Sequence, residues 1–513
     1  MKGFFKAAFI VSFGTLFSRI AGFVRDIFIA KYLGSSVFSD VFFLAFRIPN
    51  FFRKIFAEGA FNSVFTPIFA SGVQMHGKEK MMVFARNIYS ILLYFLLIFT
   101  LLVEIFMPYI MYVLAPGYVG DASKFNILIL LTRITFPYLI FISLVSLMSG
   151  ILNTFNKFFA VSVAPVLLNF SIIAGIYIFR NRSELLIIKG MSYAVFFAGV
   201  LQLVWILFWS LKEKIFLYPV FPKISATTKD FFKKFFNSFL ASGVVQINSM
   251  INSIFATLIP GAVSLLYYGD RVSQFPLSII GTAIGISILP VLSKNLSKRG
   301  NKEEAQEVQE DAIFLSCFFG IPSAIGLFIF APYIVELLFQ RGEFTSENTI
   351  QVANILKIYA IAVPFFILSK VFQATFYAKK DTKTPMINAI YCLIINVVFV
   401  IILKYFFEAN GIAMATTLSS IMATSMLFYK LIKDKIFIFS QNLQLRLLKI
   451  AYISIIMVAT IISLNSLCLK HGFSNISTLI LSGGISGFMF LILSHILGIF
   501  NLKQFLHLLT KNN

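Results

Sequence analysis

The chain is poor in charge and poorer still in acid. Only 12% of its 513 residues are charged, with 21 Asp and Glu against 43 Lys and Arg, whereas a soluble domain carries roughly 25%. The three cysteines, Cys317, Cys392 and Cys468, stand far apart in apolar context without a CxxC. They read as core packing, which excludes a disulfide scaffold and a cysteine metal site. The four histidines, at 76, 471, 495 and 507, are too dispersed for a metal or a proton relay. There is no GxxxxGK[ST] for nucleotide hydrolysis, no HExxH and no GxSxG, so the chain offers no catalytic centre and calls for no cofactor.

Apolar sequence is what the chain has in quantity: 59% hydrophobic residues, 63 of them Phe, with a mean hydropathy of +0.89. At about 20 residues per crossing, the apolar runs predict about fourteen membrane-spanning helices, at 5–32, 37–71, 82–113, 124–153, 159–179, 187–210, 230–257, 262–292, 308–338, 348–378, 384–403, 412–432, 444–466 and 475–499. Period-2 alternation is absent and lipid tolerates only helices or closed barrels, so the expected fold is an all-α polytopic membrane protein.

A net charge of +22 would suit nucleic acid, but its distribution argues otherwise. Lys and Arg gather in 211–234, 294–302, 379–383 and 430–435, while the alternate loops hold only Lys124, Arg180, Arg182, Arg341, Lys404 and Lys470. That asymmetry predicts both termini on the cytoplasmic side, with no nucleic-acid partner. The start, with Lys2 and Lys6 before an apolar run, has no small-x-small cleavage site and continues into Arg19 and Arg25, so it reads as an uncleaved first helix.

The second half echoes the first. Arg47 precedes Pro67 by 20 residues and Arg271 precedes Pro290 by 19; FPYLIFISL at Pro137 is matched by VPFFILSKV at Pro364. Two six-helix pseudo-repeat lobes are expected, 1–215 and, after a Lys- and Pro-containing linker, 216–435. Residues 436–513 add two further helices and a cytoplasmic tail.

Charge inside this apolar chain is concentrated in one stretch, SRIAGFVRDIFIAKYLGSSVFSDVFFLAFRIPNFFRKIFAEGAFNSVFTP. Thr15, Arg19, Gly22 and Asp26 recur at helical spacing as a polar stripe, and Arg25 widens it. Asp40 and Arg47 follow on the second helix. Pro49 is expected to kink or break that helix; beyond it Asn50, Lys54 and Glu58 share a face beside Arg53. In the second half Arg271, Gln274, Ser278, Thr282 and Gly285 form a similar stripe, with Asp270 adjacent. An Arg at mid-bilayer costs roughly 2.5–3.5 kcal/mol on insertion scales, so charge this dense requires water or partners. One reading is the wall of a hydrated cavity; the other is a set of structural Arg–Asp pairs, with Lys54 reaching the membrane surface. Arg keeps its charge and bonds phosphate bidentately, so the first reading is a transporter for an anion or an anionic lipid.

SRIAGFVRD, RIPNFFRKIFAEGAF and GDRVSQFPLSIIGTAIGISILPVLSK resemble the bacterial lipid II flippase family (MurJ, formerly MviN), within the superfamily of multidrug, oligosaccharidyl-lipid and polysaccharide exporters. The likeness runs in order to about residue 435. It implies translocation of the peptidoglycan precursor lipid II, an undecaprenyl-pyrophosphate-linked saccharide, from the cytoplasmic to the periplasmic leaflet of the inner membrane by alternating access. It also implies that Arg19, Arg25, Arg53 and Arg271 bind substrate, with Asp40 gating and Ser18, Asp26, Glu58, Asp270 and Gln274 in support. The two extra helices would form a groove for the polyprenyl tail, and membrane lipids and cell-wall synthesis proteins are the expected partners. No carboxylate lies between Asp230 and Asp270, which leaves a cation site on the seventh helix without an acidic ligand. The alternatives are an exporter of another polyprenyl-linked saccharide or anion, and a membrane scaffold whose buried Arg are structural.

Overall fold

The computed structural model describes residues 2–55, 60–296 and 301–500. They form seventeen α-helices and no strand: α1 Lys2–Leu33, α2 Val37–Arg53, α3 Ala60–His76, α4 Lys78–Leu114, α5 Ala122–Thr135, α6 Tyr138–Thr154, α7 Phe158–Phe179, α8 Glu184–Lys212, α9 Ala226–Ala256, α10 Ala262–Pro276, α11 Thr282–Asn295, α12 Lys302–Ile329, α13 Ala331–Phe339, α14 Ser346–Ala378, α15 Lys383–Lys433, α16 Gln441–Lys470 and α17 Asn475–Ile496. Ten helical stretches among the described residues are long and apolar enough to cross a bilayer. The protein is an all-α, multi-pass membrane protein.

Side-chain caps set several helix starts: Ser36, Asp121, Ser225, Ser440 and Ser474 each accept the amide three residues on, the preferred way to satisfy an orphan donor. Prolines and tight turns decide where spans divide. Of the stretch expected as one helix over 37–71, α2 and α3 flank residues 56–59, which lie outside the described residues, and Pro49 does not end α2. Pro49 lies inside α2, where its missing N–H frees the carbonyl of Ala45 four residues back. Thr135 Oγ1 of α5 donates to that carbonyl at 3.2 Å, so the helix continues through the proline. After Pro276 the chain instead takes a wide π turn, Leu277–Gly281, before α11.

The two spans expected at 384–403 and 412–432 are the two arms of α15, 51 residues in all, on either side of Glu408. At 1.5 Å per residue a straight helix of that length would run about 76 Å, far beyond the roughly 30 Å hydrocarbon core. Glu408, at φ 49° and ψ −127°, reverses the chain and makes a hairpin. A Cβ on Gly411 would run into the Leu403 carbonyl, so the turn closes only on glycine.

The chain divides into two compact units, Met1–Ser264 with Arg341–Thr345, and Leu265–Gln340 with Ser346–Asn513. In the first, α1 packs on α7, α7 on α8, α2 on α5, and α3 on both α6 and α9. The ring of Phe231 in α9 is fully buried among Phe61, Phe65 and Phe84, with centroids 5.5, 6.3 and 6.3 Å away, which seats α9 on α3 and α4. Residues 341–345 join this unit through the Glu343 amide, which donates to the Lys31 carbonyl at 2.9 Å. In the second unit α14 is central, packing on α11, α12, α13 and α15, and α16 pairs with both α12 and α17. Its core runs from Phe314 and Phe318 to Ile450, Met457 and Phe490. Cys317 and Cys468 are buried in this unit and Cys392 is half-buried, all as free thiols.

Candidate functional site

In the first unit, Arg25 of α1 is 7% exposed. Its Nε and Nη2 donate to Oδ1 of the neighbouring Asp26 at 2.9 and 2.6 Å, and its Nη1 donates to Oδ1 of Asn169 on α7 at 3.0 Å. The guanidinium carbon also stands 5.9 Å from the centre of the Phe46 ring of α2. Asn169 Nδ2 in turn donates to the backbone carbonyl of Ser18 at 3.2 Å. Arg25, Asp26 and Ser18 are therefore joined through a residue that the stripe reading of α1 did not include. The available signal was an amide within the apolar run AVSVAPVLLNFSIIAG, since polar groups inside a span face protein or water.

Arg19 and Ser18 are half-buried on α1. Arg53, half-buried at the end of α2, donates from Nε to Asn50 Oδ1 at 2.9 Å, and Asn50 Nδ2 donates to the Phe46 carbonyl at 2.8 Å. One helical turn thus aims the guanidinium. Lys54 is exposed; Glu58 lies outside the described residues. Arg47 donates to the hydroxyls of Ser253 and Ser249, one turn apart on α9.

Asp40 is completely buried. Its Oδ2 accepts the Gly261 amide at 3.0 Å and its Oδ1 the Ser264 amide at 2.8 Å. Ser35 Oγ lies 2.7 Å from Ser264 Oγ. The carboxylate thus takes the place of a cap at the start of α10, where orphan amides and the positive end of the helix dipole favour an anion.

Along residues 19–53 there are four guanidiniums, Arg19, Arg25, Arg47 and Arg53, and two carboxylates. Asp26 is bonded to Arg25 and Asp40 to backbone amides. The stretch keeps an excess of positive charge.

In the second unit, Asp270 accepts Gln274 Nε2 at 2.7 Å across one turn of α10, and Arg271 beside them is half-buried. Gln274 of α10, Ser278 of the π turn and Thr282 at the start of α11, all of the predicted stripe, are exposed or half-exposed. Lys370 of α14 was not singled out by spacing. Its side chain is exposed, and a Cβ built on Gly285 would stand 3.6 Å from Lys370 Cβ. A lysine thereby adjoins the lower end of the Arg271 stripe. Among the described residues no group of His, Cys, Asp and Glu is arranged to hold a metal.

The family model described as lipid II flippase MurJ matches residues 29–483. A probable lipid II flippase MurJ of Rhizobium tropici is 34% identical over 494 residues, covering 95% of this chain and 92% of that protein. One of Rickettsia prowazekii is 35% identical over 423 residues, covering 81% of each. A solved structure of lipid II flippase MurJ in an inward closed conformation superposes with a TM-score of 0.80 at 27% identity, over 95% of this chain and 98% of that one. An inward-facing multidrug resistance MATE transporter of the MOP superfamily follows at TM-score 0.67 and 15% identity, over 85% and 96%, a likeness of fold. The match over nearly the whole length places this multi-pass membrane protein in the lipid II flippase MurJ family.

Proposed function

We propose that this protein carries lipid II from the cytoplasmic to the periplasmic leaflet of the bacterial inner membrane by alternating access, without catalysing a chemical step. The observation that carries the reading is the excess of guanidinium over carboxylate in residues 19–53. A pyrophosphate is a compact, multiply charged acceptor, and Arg offers it a rigid fork of donors that stays charged at any working pH. At about 4 Å and an effective dielectric near 20, each such pair is worth about 4 kcal/mol before desolvation, enough to draw an anionic headgroup out of the interface.

In this proposal Arg19, Arg25 and Arg53 of the first unit and Arg271 of the second bind the pyrophosphate. Asn169 and Asn50 hold two of those guanidiniums in place, and Asp40 and Asp270 govern opening and release, with Ser18, Asp26, Glu58 and Gln274 in support. Residues 1–215 and 216–435 act as the alternating lobes, both termini face the cytoplasm, and the last two helices accommodate the polyprenyl chain. Enzymes of cell-wall synthesis are the partners such a cycle needs on either side.

The test is depletion of the endogenous flippase in a bacterial host carrying this gene, scored for lysis and for lipid II retained in the inner leaflet. The wild type rescues, and the protein with Arg19, Arg25, Arg53 and Arg271 all changed to Ala is made and inserted but does not. Full rescue by that variant overturns the assigned site. Failure of the wild type to clear lipid II, at normal abundance, overturns the substrate.

A further inference from the structure

The segment between α8 and α9 crosses the surface of the first unit as an extended strap, residues 215–225. Its backbone is fastened to α4 at three levels. Arg86 Nε donates to the Phe216 carbonyl at 2.9 Å, the Val220 amide donates to Ser90 Oγ at 2.8 Å, and the Lys223 amide donates to Asn87 Oδ1 at 2.6 Å while its carbonyl accepts Asn87 Nδ2. Arg86 also covers the Tyr218 ring at 4.4 Å. A strap held this way has a fixed outer face, and that face is apolar: Phe216 and Tyr218 are each 50% exposed, Phe221 90% and Ile224 71%.

Lysines surround these side chains. Residues 211–234 hold six Lys and two acids; Glu213 is bonded to Lys157 and Asp230 to Lys234, each at 2.7 Å. Lys212, Lys214, Lys223, Lys229 and Lys233 remain in excess of acid. The level of the strap is given by its start. Trp205 and Trp209 stand on the last turns of α8, with Lys212 Nζ 5.0 Å from the Trp209 ring. Trp and Lys at a helix end mark the headgroup boundary of a bilayer. The strap leaves α8 at that boundary and follows the first turns of α4, ahead of the exposed apolar Leu97, Ile98 and Leu101.

We infer that the strap is a binding site for anionic phospholipid: Phe216, Tyr218, Phe221 and Ile224 enter the acyl boundary while the lysines take the phosphates of the neighbouring headgroups. Large apolar side chains interleaved with Lys at the interface are the pattern of surface-seated membrane segments, and an anionic leaflet attracts each added Lys. The strap's own hydrogen bonds to α4 leave less of its edge for a partner strand, which favours lipid over a protein occupant. The site lies on the cytoplasmic leaflet under the orientation proposed above. Binding itself does not depend on that orientation, because a nanodisc offers the same lipid to both faces.

The experiment uses the full chain with Phe221→Cys, carrying an environment-sensitive fluorophore, after Cys317, Cys392 and Cys468 are changed to Ala. It is reconstituted in nanodiscs of phosphatidylcholine alone or with about 30% phosphatidylglycerol; emission rises about threefold with the anionic lipid and falls back in about 0.5 M NaCl, as screening requires. Changing Lys214, Lys223, Lys229 and Lys233 together to Gln removes the dependence on phosphatidylglycerol while the protein stays monodisperse. Equal emission in the two lipids, or quenching by a water-soluble quencher in both, overturns the inference. Protection that appears only in native membranes assigns the face to a protein and overturns it as well. None of these outcomes bears on lipid II transport, which the depletion assay reads separately.

Discussion

Removing the Asp40 carboxylate should release the backbone that it holds at the start of α10. Asp40 is fully buried and its two oxygens accept the amides of Gly261 and Ser264 at 3.0 and 2.8 Å. Hydrogen bonds to a charged acceptor contribute about 1.5–3 kcal/mol each, and a buried amide left without one costs about 1–3 kcal/mol. Asp40→Ala strands both amides, an expected local loss of about 2–6 kcal/mol. Asp40→Asn keeps one acceptor oxygen but turns an NH2 toward the other amide, so about half that loss remains. The assay is hydrogen–deuterium exchange of the reconstituted protein, followed in peptides covering 258–266. Local opening free energy sets the exchange rate, and about 1.4 kcal/mol corresponds to a tenfold change. Asp40→Ala should therefore speed exchange at these amides by about 30-fold or more and Asp40→Asn by about tenfold, with peptides from α16 and α17 unchanged. Unaltered exchange at 261–264 in the Ala variant would refute the capping role.

Thr135→Val keeps the shape of the side chain but leaves the Ala45 carbonyl opposite Pro49 without its donor; thermal unfolding in detergent should show a loss of about 1–3 kcal/mol. Asn169→Ala takes the acceptor from Arg25 Nη1, with a loss of about 1–3 kcal/mol and weaker rescue in the depletion assay at equal abundance. Phe231→Ala empties a site ringed by Phe61, Phe65 and Phe84; at about 3–5 kcal/mol for a buried Phe, protein yield and melting temperature should both fall. Lys370→Gln should raise the lipid II concentration needed for half-maximal flipping severalfold while leaving the maximal rate within about twofold, as loss of uniform binding does.

Much of this fold is legible in hydropathy alone, because a bilayer admits little besides helices of spanning length. What escapes is how the chain passes a proline, and the reason is tertiary. Pro49 carries the local signal of a break, yet Thr135, 86 residues further along the chain, meets the carbonyl it frees. The division expected between 403 and 412 falls at Glu408, where the turn closes on Gly411. The site shows the same division. Arg19, Arg25, Arg53, Asp40 and Arg271 stand out because charge is costly within a span, whereas what each charge binds depends on distant residues. Asp40 meets backbone amides that no side-chain pattern encodes. Asn169 and Lys370 are single polar residues in apolar runs, a signal easily read as packing.

The reversal at Glu408 also bears on how the protein is made. With the helix Lys383–Lys433 folded back on itself and Gly411 tight against Leu403, there is no slack between the two arms. The two arms therefore reach their final packing as a pair, since the turn between them forms only when both are in place. A tag or protease site placed between residues 404 and 411 would separate two strokes that the chain makes as one.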